Sequence, residues 1–176
     1  MTDTRDFDLP QDGFQMCKGT WYLYEVTKMD IRLIPLEKMI VDEKEIRLGE
    51  KKQAVISMLG APEHIHENYG GGSWRHYYCD SELALDFDQD DRLEFIEFLG
   101  GHYGKLRPYI YGISVFDTKD TDVVRILSEH NNGEIDDSEN DSFGFLETSI
   151  GIWKDSEEEE YWTTIGIGVK GYYTEA

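Results

Sequence analysis

The chain has 176 residues, of which 37 are acidic and 17 are basic, so its formal net charge at pH 7 is −20. Hydrophobic residues make up 39% of the chain and aromatic residues 13%, which is enough to build a folded core. The excess negative charge disfavours nucleic acid and anionic membranes as partners and favours a basic protein. No run of about 18 apolar residues is present, so we expect no membrane-spanning segment.

The start of the chain is polar, and residues 1–20 predict an N-terminal arm. They lack the basic start and apolar run of a secretory signal peptide, so we expect a cytoplasmic location. Cys17 and Cys79 are too few for a disulfide framework. Residues 21–34, rich in aromatic and β-branched side chains, predict a strand, whereas residues 36–45 fit a short helix and an extended segment equally well.

The clearest pattern lies between residues 48 and 99. Residues 50–59 predict a helix, because Val55, Ile56, Met58 and Leu59 form one apolar stripe. Gly60 and Pro62 end it. Residues 74–79, 83–88 and 93–98 predict three strands, and the second alternates strictly between apolar and mostly polar residues.

A second copy of this order follows. Residues 109–116 predict a strand, Asp117 or Thr118 a helix cap, and residues 123–127 repeat the apolar stripe 68 positions after the first. Further strands are predicted around residues 143–152 and 161–173. The sequence therefore predicts an α+β fold of two tandem helix-plus-antiparallel-sheet repeats, with the helices packed on one face of a meander. We place the first repeat and its leading strand at 21–104 and the second at 105–176, forming one compact unit.

Residues 48–96 resemble the repeat of the BamE/SmpA-like lipoprotein domain. The residues that carry this resemblance are Gly49, Val55, Leu59-Gly60-Ala61-Pro62, Trp74, Tyr77, Leu83, Leu85, Phe87-Asp88, Leu93 and Ile96. Two such units in tandem look like the β-lactamase-inhibitor-protein architecture, whose paired repeats present a curved, aromatic-rich binding surface. The second copy departs from the motif at residues 127–130, which read Leu-Ser-Glu-His. The resemblance implies a binding scaffold and does not identify a partner.

Acidic residues concentrate in two predicted loops, 134–141 and 155–160. From Asp117 to Glu160 there are 15 acidic residues and 3 basic ones. If the last strand is regular, Trp162 faces away from Ile165 and Ile167, so it is exposed, covered by a partner, or packed over a neighbouring strand or the N-terminal arm. Such loops are either a solvated face or an interface to a basic protein, in which aromatic side chains anchor and charge steers. The predicted partner-binding residues are Asp136, Asp137, Glu139, Asp141, Trp153, Asp155, Glu157, Glu158, Glu159, Glu160, Tyr161 and Trp162.

Two patterns resemble metal sites. From Asp86 to Glu97, acidic residues fall at positions 1, 3, 5 and 12 of a calcium loop, but position 6 is Asp91 instead of the required glycine, so a hairpin turn is favoured. His64 and His66, with His76 and Cys79, could supply zinc ligands, but a surface loop is favoured for the histidine pair. We predict no metal site.

Catalytic motifs are also missing from the sequence. There is no nucleophile elbow and no phosphate-binding loop, and Cys79 lies beside Asp80, which disfavours a thiolate. We therefore expect no enzyme and no cofactor. The expected function is a non-enzymatic protein-binding inhibitor: an immunity protein that neutralises a basic bacterial toxin domain, such as a nuclease, by occluding it. The alternatives are a structural or assembly adaptor related to envelope BamE-like domains, and a metal-binding domain or enzyme.

Overall fold

The computed structural model describes residues 27–67 and 73–174. Within them the fold is α+β, as predicted, with two helices and two β-sheets. No helix among these residues is long and apolar enough to cross a membrane. The predicted arm 1–20 and the first part of the predicted strand 21–34 lie outside the described residues.

The elements of the described chain are mostly short strands. The helices are α1 (Lys52–Leu59) and α2 (Asp120–Asn131), and 3₁₀ turns cover Gly101–Tyr103 and Val115–Asp117. The strands are β1 (Met29–Ile34), β2 (Lys38–Val41), β3 (Lys44–Arg47), β4 (His64–Glu67), β5 (Trp74–Tyr78), β6 (Leu83–Phe87), β7 (Leu93–Phe98), β8 (Leu106–Ile110), β9 (Ile113–Ser114), β10 (Ile135–Glu139), β11 (Ser142–Phe145), β12 (Ile150–Trp153) and β13 (Thr164–Gly168).

One sheet has five strands in the order β3-β2-β1-β8-β9. Strands β1 and β8 are parallel, and the other pairs are antiparallel. Residues 36–45 contribute β2 and the start of β3. Met39 and Val41 alternate with half-buried residues along β2, Ile46 lies opposite Met39 on β3, and all three are fully buried. The sequence analysis did not predict this sheet, which joins segments more than 70 residues apart.

The other sheet has eight antiparallel strands in the order β10-β11-β12-β13-β7-β6-β5-β4. Helix α1 is followed by the four strands β4–β7, and α2 by the four strands β10–β13. The two meanders meet where β13 pairs with β7, with Ile167 opposite Ile96. Each meander has one strand more than the sequence predicted.

The eight-stranded sheet has two distinct faces. We call the side that carries Leu85, Ile96 and Ile167 the core face, because these side chains are fully buried. They belong to one hydrophobic cluster with the five-stranded sheet and with both helix stripes, Val55 and Leu59 in α1 and Val123 and Leu127 in α2. The opposite side, which we call the outer face, carries the residues in between along each strand.

Two local predictions are wrong. The predicted strand 109–116 is interrupted by a tight turn at Tyr111 and Gly112, both with positive φ, because β8 folds back into β9. The predicted caps of α2 lie before the helix: Lys119 is the N-cap and makes no side-chain capping bond. Asn132, in the left-handed conformation, ends α2.

Candidate functional site: an acidic end of the eight-stranded sheet

The loop between β12 and β13 is held by a buried lysine. Lys154 is 4% exposed, and its Nζ donates to Asp120 Oδ2 at 2.8 Å and to the Glu159 carbonyl at 2.9 Å. The backbone N–H of Asp120 in turn donates to the Glu160 carbonyl at 2.9 Å. The acidic loop 155–160 is therefore tied to the first residue of α2, where negative charge is favourable.

Trp162 lies inside the protein. Its side chain is 1% exposed, and its indole Nε1 donates to the Asp120 carbonyl at 3.1 Å. The ring contacts Phe143 edge-on, with 5.7 Å between the ring centres. Because β13 begins only at Thr164, the strand alternation does not extend back to Trp162. Of the predicted placements, exposure or cover by a partner is wrong, and packing within the chain is observed.

The two acidic segments lie side by side. Asn140 Nδ2 donates to Glu157 Oε1 at 3.1 Å, and the backbone N–H of Lys154 donates to the Asp141 carbonyl at 2.9 Å. The fold thus joins two stretches that the sequence separates by more than ten residues. We call the surface formed by residues 134–141 and 155–160 the acidic end.

The first acidic segment is a strand rather than the predicted loop. Residues 135–139 form β10, the edge strand of the sheet. Asp136 and Glu139 lie opposite Gly144 and Ser142 of β11. Hydrogen bonds from the Ser138 hydroxyl and backbone lower the pKa of Asp136. Carboxylates on an edge strand oppose edge-to-edge association.

The acidic end carries a dense, uncompensated charge. Asp141 is half-buried, and the other predicted acidic residues are exposed: Asp136, Asp137, Glu139, Asp155, Glu157, Glu158, Glu159 and Glu160. Between Glu134 and Glu160 there are 11 acidic residues and one basic residue, the buried and paired Lys154. No surface cation within this stretch can neutralise the carboxylates.

Exposed aromatic side chains flank the acidic end. Trp153, before the loop, is 44% exposed. Tyr161, after it, is half-buried and stacks on His102, with 5.1 Å between the ring centres. His102 also contacts Tyr103, whose side chain is 96% exposed. No pattern in the sequence marks Tyr103 or His102 as a site residue. The glycines on either side of them, between residues 100 and 104, predict only that a strand ends there.

Small residues leave the outer face beside Trp153 flat. Trp153 lies opposite Ser142 on β11 and Thr164 on β13. The next outer-face residues are glycines: Gly144, Gly151 and Gly166. A Cβ at Gly151 would lie 2.1 Å from the hydroxyl oxygen of Tyr173, so the C-terminal turn occupies the space above that glycine.

The middle of the outer face holds a partly covered ion-pair cluster. Arg75 forms a bidentate ion pair with Asp86, from Nε to Oδ1 at 2.7 Å and from Nη2 to Oδ2 at 3.1 Å. Its Nη2 also donates to Glu97 Oε2 at 2.7 Å. Burial raises the pKa of Glu97, although the positive charge of Arg75 opposes this. Phe95 stacks on Tyr172 of the C-terminal turn, with 4.3 Å between the ring centres. The cluster is satisfied internally and offers no free cation.

The two metal-like patterns do not form ligand clusters among the described residues. Residues 86–97 form the β6–β7 hairpin, and Asp88 Oδ1 accepts the backbone N–H groups of Asp90 and Arg92. The predicted loop around His64 and His66 is strand β4. Both side chains are exposed on its outer face, whereas His76, opposite Ile65, is buried on the core face.

Cys79 is disulfide-bonded. Its side chain is 2% exposed, at the turn after β5. The other cysteine of the sequence, Cys17, lies outside the described residues. A cysteine in a disulfide has no thiolate form, so it acts neither as a nucleophile nor as a zinc ligand.

At the acidic end, exposed carboxylates lie beside exposed or half-buried aromatic rings on the protein surface. No protein-family model matches the sequence, and no curated protein and no solved structure shows significant similarity to the chain.

Proposed function

We propose that this chain is a non-enzymatic inhibitor that binds a basic protein at the acidic end and occludes it. The observation that carries the proposal is the fusion of two acidic segments into one surface, with one buried lysine and exposed Trp153 beside it. The most fitting partner is a toxin domain whose lysines and arginines contact nucleic acid, such as a nuclease, and the chain would then be its immunity protein.

Charge and aromatic anchors have separate tasks in such an interface. The acidic end attracts a basic partner over long range and raises the association rate, to about 10⁸–10⁹ M⁻¹s⁻¹ at low salt. Trp153 and Tyr103 provide apolar area that is desolvated on binding and slows dissociation. Buried Trp162 takes no direct part and instead supports the loop.

The order of elements supports a repeat scaffold for this binding surface. Each helix precedes a four-stranded meander, and the buried pairs Val55/Leu59 and Val123/Leu127 are both offset by 68 positions. We propose that the two halves are a tandem repeat of the helix-plus-sheet type implied by the sequence resemblance. The division between them at residues 104 and 105 stays a prediction.

The proposal is tested by inhibition of a basic nuclease toxin domain, first the one encoded beside this chain's gene. We expect the wild-type chain to inhibit cleavage at equimolar ratio. Neutralising Glu157, Glu158, Glu159 and Glu160 to Gln should weaken inhibition by about tenfold or more and reduce its dependence on salt. The control neutralises four exposed acids elsewhere: Glu37, Asp42, Glu43 and Glu67.

Inhibition that is insensitive to salt, or an equal loss in the control variant, would contradict binding at the acidic end. If the adjacent domain and a panel of other basic nuclease toxin domains all cleave normally with the chain present, the inhibitor function itself is wrong.

A second candidate function follows from Cys79. Disulfides persist mainly outside the reducing cytoplasm. The disulfide is the observation that favours an extracytoplasmic adaptor module as the alternative to a cytoplasmic inhibitor. Because Cys79 is buried, the test is acid quenching of whole cells followed by alkylation of thiols in denaturant. A free, alkylated Cys79 supports the cytoplasmic location that belongs with the immunity function, and a Cys79 that is alkylated only after reduction supports the adaptor.

A further inference from the structure

The outer face beside the acidic end carries one exposed aromatic ring with room around it. Trp153 is 44% exposed, and its cross-strand neighbours, Ser142 and Thr164, are small. A Cβ at Gly144, further along β11, would meet only Asp136 Cβ at 3.5 Å and Leu146 Cδ2 at 3.7 Å. On its β11 side, Trp153 is therefore next to a strip of sheet that carries only the small residues Ser142 and Gly144.

Carboxylates line that strip. Glu139 lies opposite Ser142 in the strand register, and the Ser142 hydroxyl donates to Glu139 Oε2 at 3.4 Å. Asp136 lies opposite Gly144. An aromatic face bordered by two exposed carboxylates, without a cation of its own, is complementary to a cationic side chain. Arginine fits better than lysine, because a planar guanidinium can stack on the indole ring and bond a carboxylate at the same time.

The interior of the chain already contains a cation next to a tryptophan and a carboxylate, where the acidic loop 155–160 meets α2. The ammonium of Lys154 lies 5.3 Å from the centre of the Trp162 ring and bonds Asp120. That internal site contains a cation, a tryptophan and a carboxylate. The outer site has the tryptophan and the carboxylates, and no cation of the described residues lies over its ring.

We propose that an arginine of the basic partner binds across β10–β12, with its guanidinium stacked on Trp153 and bonded to Glu139 or Asp136. The inference rests on the proposed function, since it names the partner side chain that this surface receives. The acidic loop 155–160 then steers the partner, and Trp153 fixes its register.

A partner-independent titration tests the site. The probe is the peptide amide Gly-Arg-Gly-Arg-Gly at low ionic strength (about 20 mM), followed through the indole N–H signals in NMR spectra. We expect the Trp153 signal, assigned with W153F, to shift with arginine, less with the lysine peptide and not with the neutral citrulline peptide. E139Q should weaken the shift. Trp74 is the internal control, because it is 40% exposed but lies on the core-face side of β5.

An unmoved Trp153 signal, or equal shifts at Trp74, would overturn the arginine site. With a basic toxin domain, W153A should weaken binding by about tenfold, W153F less, and W74A not at all. If the loop variant of residues 157–160 weakens this binding but W153A does not, the arginine site is wrong and the inhibitor function stands. If Trp153 binds the peptide but no toxin domain is inhibited, the function is wrong and the site stands.

Discussion

At the scale of single residues, His76 couples stability to pH. Its ring is 3% exposed and packs on Phe87, with 4.8 Å between the ring centres. Its Nδ1 has no hydrogen-bond partner among the described residues. Burial lowers the pKa of His76, and Lys52 lowers it further, while Asp91 opposes them. The folded protein therefore holds His76 neutral more strongly than the unfolded chain does.

The lowered pKa of His76 sets the direction in which the stability of the fold changes with pH. The stabilisation from neutral His76 is fully present above the unfolded pKa of about 6.5 and is lost as pH falls through the lowered folded pKa. H76L has no such loss. We therefore expect the difference in Tm, H76L minus wild type, to become more positive by a few degrees as the pH is lowered from 8 to 5. Exposed His64, changed to Leu, is the control and should show no such trend. A constant difference between H76L and wild type would show that His76 does not couple stability to pH.

At the scale of elements, the C-terminal turn packs on glycines of the outer face. A Cβ at Gly168 would lie 2.6 Å from Tyr172 Cβ and 2.7 Å from Tyr172 Cγ. These atoms are close to the backbone and cannot swing aside. Tyr172 in turn stacks on Phe95. The last residues of the described chain are therefore part of the sheet's packing.

G168A tests this packing. We expect a loss of about 1–3 kcal/mol in the free energy of unfolding, because the added methyl group must displace the turn that carries Tyr172. Denaturant unfolding provides the measurement. G144A is the matched control on the same face, where the nearest atom would be 3.5 Å away, and it should change stability by no more than about 0.5 kcal/mol. Similar losses in both variants would show that the cost belongs to any glycine of the outer face.

At the scale of the whole molecule, one hydrophobic cluster stabilises a chain whose formal net charge is −20. The cluster includes residues of both sheets and both helices, so we expect the chain to unfold as one cooperative unit. Repulsion among the carboxylates opposes the compact state, and salt screens it.

Salt should therefore stabilise the fold. Between about 10 and 300 mM NaCl we expect Tm to rise by a few degrees, with circular dichroism and tryptophan fluorescence giving coincident transitions. The variant with Gln at residues 157–160 should start from a higher Tm at low salt and gain less. A Tm that is independent of salt would mean that the acidic end does not destabilise the free protein, and separate transitions would mean that the sheets do not form one unit.

Local patterns predicted the local elements well. The apolar stripes at Val55/Leu59 and Val123/Leu127 marked both helices, and the alternation from Leu83 to Phe87 marked β6. These predictions succeed because burial of one face acts on residues three, four or two positions apart. The acidic residues of the candidate site were also visible, since charge density is a property of the sequence.

Pairings between distant segments were not predictable in this way. The parallel pairing of β1 with β8 and the antiparallel pairing of β7 with β13 depend on which strands meet in the core. The acidic composition of residues 135–139 predicts a loop because it disfavours a strand, yet pairing with β11 overrides that preference and forms β10.

Composition and periodicity by themselves determined an acidic α+β protein with two helices and a set of antiparallel strands, because these properties depend on neighbours along the chain. Only the tertiary structure decided that the acidic segments form one surface, that Trp162 supports the loop from inside and that Trp153 and Tyr103 are exposed. Exposure depends on which distant residues cover a side chain. The contact with Asp120, 42 positions from Trp162, is not encoded in the spacing of either residue.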